Sequence, residues 1–164
     1  MNRCSRRRRS AILGVALGAA IGGSVVAQGG RAIVPFDEIR WPPAQAGGTG
    51  TSGASGIQTV VLTGDPGKPG LYTLMLRAGP NMRIEAHSHG DDRVATVVKG
   101  TWYFGYGETF DEGALRPLGP GSFYTEPPNV PHYAMTKEQV VLQITGVGPS
   151  STTYADPRND PTKR

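Results

Sequence analysis

Short stretches in which apolar and polar residues alternate recur along most of this chain, separated by turns rich in Gly, Pro and Asp. No segment has the longer period of an amphipathic helix. The alternation predicts eight or nine short strands, including residues 57–62, 71–77, 83–89, 93–99, 101–106, 122–125, 130–135 and 139–145. Strands at this spacing without a convincing helix predict an all-β sandwich or barrel over residues 57–149.

Two segments of different texture flank the predicted barrel. Residues 28–56 form an N-terminal arm and flexible loop. We expect the apolar stretch 32–41 to lie on the outside of the barrel or across a neighbouring subunit. Residues 42–56 consist mainly of Pro, Ala, Gly, Thr and Ser, which predicts a mobile surface loop. Residues 150–164 form a C-terminal tail whose prolines predict an irregular end.

The first 27 residues have the pattern of an export signal. Arg6 to Arg9 precede an apolar run, and Val25 and Ala27 provide small side chains for cleavage before Gln28. The apolar run ends within 17 residues of Ala11, short of the ~20 needed to span a bilayer. We therefore expect a cleaved signal peptide, residues 1–27, with no stable membrane insertion afterwards. The consecutive arginines allow the Sec or the twin-arginine route to a periplasmic or secreted location.

The excess of basic over acidic residues in the chain comes from this leader. Five of the 17 Lys and Arg residues lie in the first ten positions, so 12 basic residues face 13 acidic ones in the remainder. A net charge of −1 there argues against nucleic-acid binding. The one cysteine, Cys4, also lies in the leader, which excludes disulfide and thiolate chemistry in the mature domain.

The three histidines are the first candidates for functional residues. His87 and His89 are two positions apart in a predicted strand, so both point to one face, and regular alternation places Glu85 on that face too. His132 lies in a later predicted strand. Three imidazoles can hold Fe(II), Zn(II) or another divalent metal and leave coordination positions open. We therefore predict His87, His89 and His132 as metal ligands.

The same residues resemble the motifs of the cupin superfamily, and in particular its small single-domain bacterial members. His87-Ser88-His89 fits the His-x-His of the first motif, and six residues lead from Arg93 to the closing Gly100. Either Pro117-Leu118-Gly119 or Gly119-Pro120-Gly121 fits the turn of the second motif, and His132 fits its histidine. The resemblance implies a cupin-type double-stranded β-helix, a jelly-roll barrel, that binds a metal and a small molecule.

One position departs from that family pattern. Arg93 stands where such cupins have the glutamate that completes a three-His, one-Glu site, and a guanidinium has no lone pair to offer a metal. The site is then either three-His or recruits Glu85, Asp91 or Asp92. We expect Arg93 to pair with Asp91 or Asp92, or to bind a substrate carboxylate.

Other side chains could line the site or its surroundings. Regular alternation places the aromatic rings of residues 102, 104 and 106 on one face, and the cavity could also be reached by Tyr124, Tyr133 and Gln143. Glu108 and Glu126 are interpreted as loop or rim charges. The candidate catalytic residues are Glu85, Arg93 and Tyr133.

These observations favour an exported protein that binds Fe(II), Zn(II) or Mn(II). The leading hypothesis is a dioxygenase-type enzyme acting on a small molecule, and a lyase or isomerase is the weaker enzymatic choice. The alternatives are a non-enzymatic domain that binds a small ligand or senses metal, and a barrel that has lost its metal. We also expect a homodimer, since pairing or abutting protects edge strands.

Overall fold

The computed structural model describes residues 31–43, 45–46 and 48–163. The predicted export signal, residues 1–27, lies outside the described residues. Over the described ranges, no helix has the length and apolar character needed to cross a membrane.

Eleven strands and four single-turn 3-10 helices make up the described part of the chain. The strands are β1 (Gln45–Ala46), β2 (Ser55–Thr63), β3 (Gly70–Ala78), β4 (Arg83–His89), β5 (Arg93–Lys99), β6 (Trp102–Tyr106), β7 (Arg116–Leu118), β8 (Phe123–Glu126), β9 (His132–Met135), β10 (Val140–Gly148) and β11 (Thr152–Tyr154). The 3-10 helices are Phe36–Glu38, Glu112–Ala114, Pro157–Asn159 and Pro161–Lys163. The prediction of an all-β fold is confirmed.

The strands form two antiparallel sheets. One has the order β1-β2-β3-β10-β5-β8 and the other the order β11-β4-β9-β6-β7. Strands distant in sequence are neighbours in both sheets, as in a jelly roll. Three short strands, β1, β7 and β11, were not predicted because each has only two or three residues and no alternation to read.

The core lies between the two sheets and follows the period of two along each strand. In β10, Leu142 and Ile144 are buried while Gln143 between them is exposed. The expectation that Gln143 reaches the cavity is therefore wrong, because its side chain points to the outer face. Leu74 and Leu76 of β3 join the same core cluster.

The N-terminal arm packs against the outside of its own barrel. Ile39 is buried against Met75 and Val141 on the outer face of the six-stranded sheet. The guanidinium carbon of Arg77 lies 4.5 Å from the centre of the Trp41 ring, so a cation–π contact adds to the apolar packing. Of the two expected placements of this arm, the structure shows the one within the chain.

Candidate metal centre

A β-bulge in β4 aims the histidines of that strand into the barrel. Ile84 pairs with Ala134 of β9, but His87 rather than Ala86 pairs with His132, so one extra residue is inserted between them. A bulge shifts the alternation by one position. Ile84, His87 and His89 consequently face the interior, and Glu85 does not share their face as predicted.

The three imidazoles lie together at the inner surface of the five-stranded sheet. The ring of His87 has its centre 4.5 Å from that of His132 and 5.0 Å from that of His89. One ligand nitrogen from each residue lies within 4.8 Å of those of the other two, and all three side chains are buried. The structure therefore brings together the three histidines that the sequence singled out, in a group that could hold a metal ion.

Backbone carbonyls hold all three rings in one tautomer. The Nδ1 atoms lie 2.8 Å from Glu85 O, 3.1 Å from Ser151 O and 3.1 Å from Val130 O, for His87, His89 and His132 respectively. A carbonyl only accepts, so each Nδ1 carries the proton and each Nε2 keeps a free lone pair. The Nε2 of His89 is buried without a hydrogen-bond partner among the described residues. This is the arrangement of metal-ligating histidines, whose other ring nitrogen donates to an outer group.

Burial also keeps the imidazoles neutral. It lowers the pKa of His87 to about 3 and that of His89 to about 2, with the positive charges of neighbouring groups adding to the effect. Burial lowers the pKa of His132 as well, against the attraction of Glu126. Neutral imidazole is the form that binds a metal, so the site is ready to accept a cation at ordinary pH.

An ion pair between Arg93 and Glu126 faces the histidines from the other sheet. Arg93 Nε donates to Glu126 Oε2 at 2.9 Å, and Nη2 donates to the same oxygen. Burial would raise the pKa of Glu126, but Arg93 and the nearby imidazoles hold it well below the usual range. Arg93 was expected to pair with Asp91 or Asp92, and Glu126 was expected at the rim. Both expectations are wrong: Glu126 is 4% exposed, because β8 turns this residue inward.

Asp91 and Tyr72 form a second layer behind Arg93. The hydroxyl of Tyr72 donates to Asp91 Oδ2 at 2.6 Å, and both side chains are buried. Burial raises the pKa of Tyr72 to about 12, and the charge of Arg93 opposes that rise. Burial would lower the pKa of Arg93, but the charge of Glu126 and, to a smaller extent, that of Asp91 raise it above its ordinary value.

The histidines and the ion pair line one small cavity of about 30 Å³. Its remaining walls are mostly apolar, and its roof is the segment Gly50 to Ser52. The walls are formed by Ile57, Leu76, Ile84, Trp102, Phe104, Tyr124, Ala134, Leu142 and Ile144. The cavity is small and the three histidines lie in its wall, so it suits a metal ion better than a large substrate.

The roof is tied down by three hydrogen bonds to its carbonyls. Arg93 Nη1 donates to Gly50 O at 2.8 Å, Thr152 Oγ1 to Thr51 O at 2.8 Å, and the Tyr154 hydroxyl to Ser52 O at 2.6 Å. Thr51 and Ser52 are buried although their composition predicted a surface loop.

The remaining candidates divide according to the face of their strands. Tyr124, one of the residues that could reach the cavity, lines it, and so do the rings of residues 102 and 104, whereas Tyr106 is half exposed. Glu85 pairs with Arg83, and Tyr133 packs its buried ring against Phe110 on the other face of β9. Neither Glu85 nor Tyr133 lines the cavity, so of the three catalytic candidates only Arg93 is in place. Glu108 is exposed, as expected of a loop charge.

No protein-family model matches the sequence, and no curated protein matches it either. Solved structures do. An RmlC-like cupin from Shewanella frigidimarina superposes with a TM-score of 0.53 at 16% identity, over 72% of this chain and 91% of that one. This chain has the cupin fold.

Two enzymes share the fold with this chain. A DMSP lyase matches with a TM-score of 0.51 at 19% identity, over 61% of this chain and 53% of that one. The salicylate 1,2-dioxygenase of Pseudoaminobacter salicylatoxidans, in complex with gentisate, matches with a TM-score of 0.50 at 17% identity, over 61% of this chain and 29% of that one. This chain thus spans about half of the lyase chain and less than a third of the dioxygenase chain. At such identities the likeness concerns the fold alone.

Sequence reasoning missed Glu126 and the roof. No motif marks Glu126, because its place beside the histidines depends on which strands are neighbours. The missing glutamate at position 93 was the one available signal that another strand might supply an acid. The roof residues are small and polar, and nothing in their composition distinguishes a buried loop from an exposed one.

Proposed function

We propose that this cupin is a metal-dependent protein that holds a divalent cation through His87, His89 and His132 and acts on a small molecule. The observation that carries the proposal is that all three Nδ1 atoms are held by backbone carbonyls, which leaves three Nε2 lone pairs for one ion. Three neutral imidazoles suit Fe(II), Zn(II) and Mn(II) without deciding among them.

The side chains around the histidines would control what reaches the ion. Trp102, Phe104 and Leu142 form apolar walls that exclude bulk water, and Arg93 places a fixed positive charge beside the site. A bound metal would supply Lewis acidity, or redox chemistry with dioxygen if it is iron. Apolar walls admit dioxygen and shield oxidative chemistry from water, so we favour a dioxygenase-type reaction over lyase or isomerase chemistry. The cupin fold of the salicylate 1,2-dioxygenase is compatible with this choice.

A non-enzymatic metal-binding or sensing role is the second candidate. The cavity of about 30 Å³ that supports it is roofed by Gly50, Thr51 and Ser52. An ion fits that small space, which is all that a sensor requires, whereas an enzyme also needs room for its substrate.

Metal analysis of protein purified without tags or chelators tests the proposal. We expect about one equivalent of iron, zinc or manganese per chain, and a higher melting temperature on adding Fe(II) or Zn(II) to the stripped protein. Absence of both effects would refute the metal proposal. Oxygen uptake by the Fe(II)-loaded protein with a panel of thiols, diketones and phenols then separates the two roles. Zinc as the native metal, with no oxygen consumed, would favour the sensor.

We also propose that the protein is exported and forms a dimer. Mass spectrometry of the periplasmic or secreted protein is expected to find an N-terminus at Gln28, and an intact leader in the cytoplasmic fraction only would contradict export. Leu71 and Val147, cross-strand partners on the outer face, are 64% and 56% exposed. They offer apolar surface for a second copy, which light scattering in solution would detect as twice the chain mass.

A further inference from the structure

We propose that Glu126 is a carboxylate ligand of the metal. From its place in β8 it supplies the acid that position 93, an arginine in this chain, does not provide. The inference rests on the proposed three-histidine metal site. It adds a fourth protein ligand, and it claims that positions 93 and 126 are interchangeable as the source of that ligand.

The first argument is distance. Glu126 Oε2 lies 3.7 Å from the Nε2 of His89 and 3.7 Å from the Nε2 of His132. With metal–ligand bonds of about 2.0–2.2 Å, neighbouring ligands of one ion are separated by roughly 3–3.5 Å. A small movement of this side chain therefore suffices for it to share an ion with the two imidazoles. The Nε2 of His89 is buried and has no partner in the described part of the chain, so a ligand is missing at that point.

The second argument is the register of the sheet. Arg93 of β5 and Glu126 of β8 are direct cross-strand partners, and both side chains line the cavity. Side chains at directly opposed positions have Cβ atoms about 4.5–5.5 Å apart, on the same face of the sheet. An acid at either position can therefore reach the same space. This chain has an arginine at the first position and its acid at the second.

The third argument is the bonding capacity of the carboxylate. Both guanidinium hydrogen bonds from Arg93 end on one oxygen, Oε2. An ionised carboxylate has about four lone-pair sites on its two oxygens. Oε2 is also the oxygen that faces His89 and His132, so Glu126 can bind an ion if it exchanges one of its two bonds to Arg93 for the ion or turns Oε1 towards it. The arginine then positions the carboxylate and keeps it ionised.

The fourth argument is the charge enclosed in the barrel. Among the described residues, the buried charged side chains are one arginine, Arg93, and two carboxylates, Asp91 and Glu126. Carboxylates thus outnumber guanidinium groups among the buried side chains, which favours a cation beside Glu126.

The other acids once considered as ligands are badly placed. Glu85 points away from the cavity and pairs with Arg83, and Asp92 is exposed. Asp91 accepts the hydroxyl of Tyr72 behind the arginine and does not line the cavity. Within the described ranges, Glu126 is the carboxylate that lines it.

Cobalt binding to the stripped full-length chain tests the inference, with calorimetry for affinity and the visible Co(II) spectrum for the ligand set. Glu126→Gln leaves Arg93 buried without its partner, so the double variant Arg93→Met/Glu126→Gln, which removes both charges, is measured beside it. We expect the wild type to bind one Co(II) per chain. We expect the double variant to melt near the wild type in chelator, and to bind Co(II) at least roughly 10- to 100-fold more weakly with an altered spectrum. Glu108→Gln, at an exposed loop position outside the site, is the control and is expected to bind like the wild type.

The exchanged variant Arg93→Glu/Glu126→Arg tests interchangeability. It is expected to recover most of the affinity, because the acid returns to the neighbouring strand and keeps its ion pair. Wild-type affinity and an unchanged spectrum in the double variant would overturn the role of Glu126 and leave the three-histidine site standing. No recovery in the exchanged variant would overturn interchangeability. A wild type that binds no Co(II), by contrast, would refute the proposed function itself.

Discussion

Loss of Arg93 should destabilise the metal-free barrel far more than loss of a surface arginine. Arg93 is 3% exposed and makes two hydrogen bonds to Glu126 and one to the carbonyl of Gly50. Arg93→Met would leave the Glu126 carboxylate buried without its counter-ion. Breaking one partner of a buried pair costs about 3–5 kcal/mol. For a chain of this size that corresponds to a fall of roughly 6–20 °C in melting temperature.

Thermal unfolding of chelator-treated protein, followed by circular dichroism, measures this cost. Arg83→Met is the control, because Arg83 pairs with Glu85 at the surface, where its side chain is 58% exposed. Loss of that exposed pair and of the contact between the Arg83 guanidinium and the Phe110 ring is expected to cost about 0.5–2 kcal/mol in total. The double variant Arg93→Met/Glu126→Gln should regain most of the stability, since no unpaired charge stays buried. A cost for Arg93→Met no larger than the control would refute the buried ion pair.

Three further predictions concern the site as a whole. Metal at about 1,000 times its dissociation constant should stabilise the wild type by about 4 kcal/mol, or roughly 8–16 °C in melting temperature. His132→Ala should abolish that shift, and an equal shift in the variant would contradict the ligand assignment. In the metal-free protein, burial lowers the pKa of His87 to about 3 and that of His89 to about 2, from an ordinary 6.5. The unfolded chain therefore binds more protons below about pH 6.5, and the melting temperature should fall as the pH is lowered from 7 to 5. A constant value over that interval would contradict the buried neutral imidazoles. Tyr154→Phe removes the bond to the carbonyl of Ser52, which is worth about 0.5–1.5 kcal/mol. Transfer of Co(II) from the loaded protein to a chelator should then be about 2- to 10-fold faster, and an unchanged rate would show that the roof does not control access.

Local patterns were sufficient to predict the strands and to identify the histidines as candidate metal ligands. Alternation in the stretch that became β10 predicted its strand, and the structure buries Leu142 and Ile144 on one face as that period requires. The histidines could be identified because a metal needs several nitrogen ligands, and the chain has only His87, His89 and His132 to provide them.

The place of Glu126 beside the histidines and the faces to which the β4 side chains point could not be predicted, because both depend on the pairing of strands distant in sequence. Regular alternation placed Glu85 beside His87, and the bulge opposite β9 removed it from that face. Glu126 precedes two prolines, which made it look like a loop charge, and only the pairing of β8 with β5 brings it to Arg93. A single sequence does not show which of many strands are neighbours.

The roof has a consequence for any shortened form of this protein. The last long strand, β10, ends at Gly148, and the first long one begins at Ser55, so a fragment trimmed to these limits would retain nearly all of the core. It would lack the Gly50 carbonyl that receives Arg93, the Ser151 carbonyl that orients His89, and the Tyr154 ring stacked on His87. Such a fragment could fold and still bind metal poorly. The smallest unit for studies of the site therefore runs from the roof through β11, and assays on a minimal barrel would underestimate what the whole chain can do.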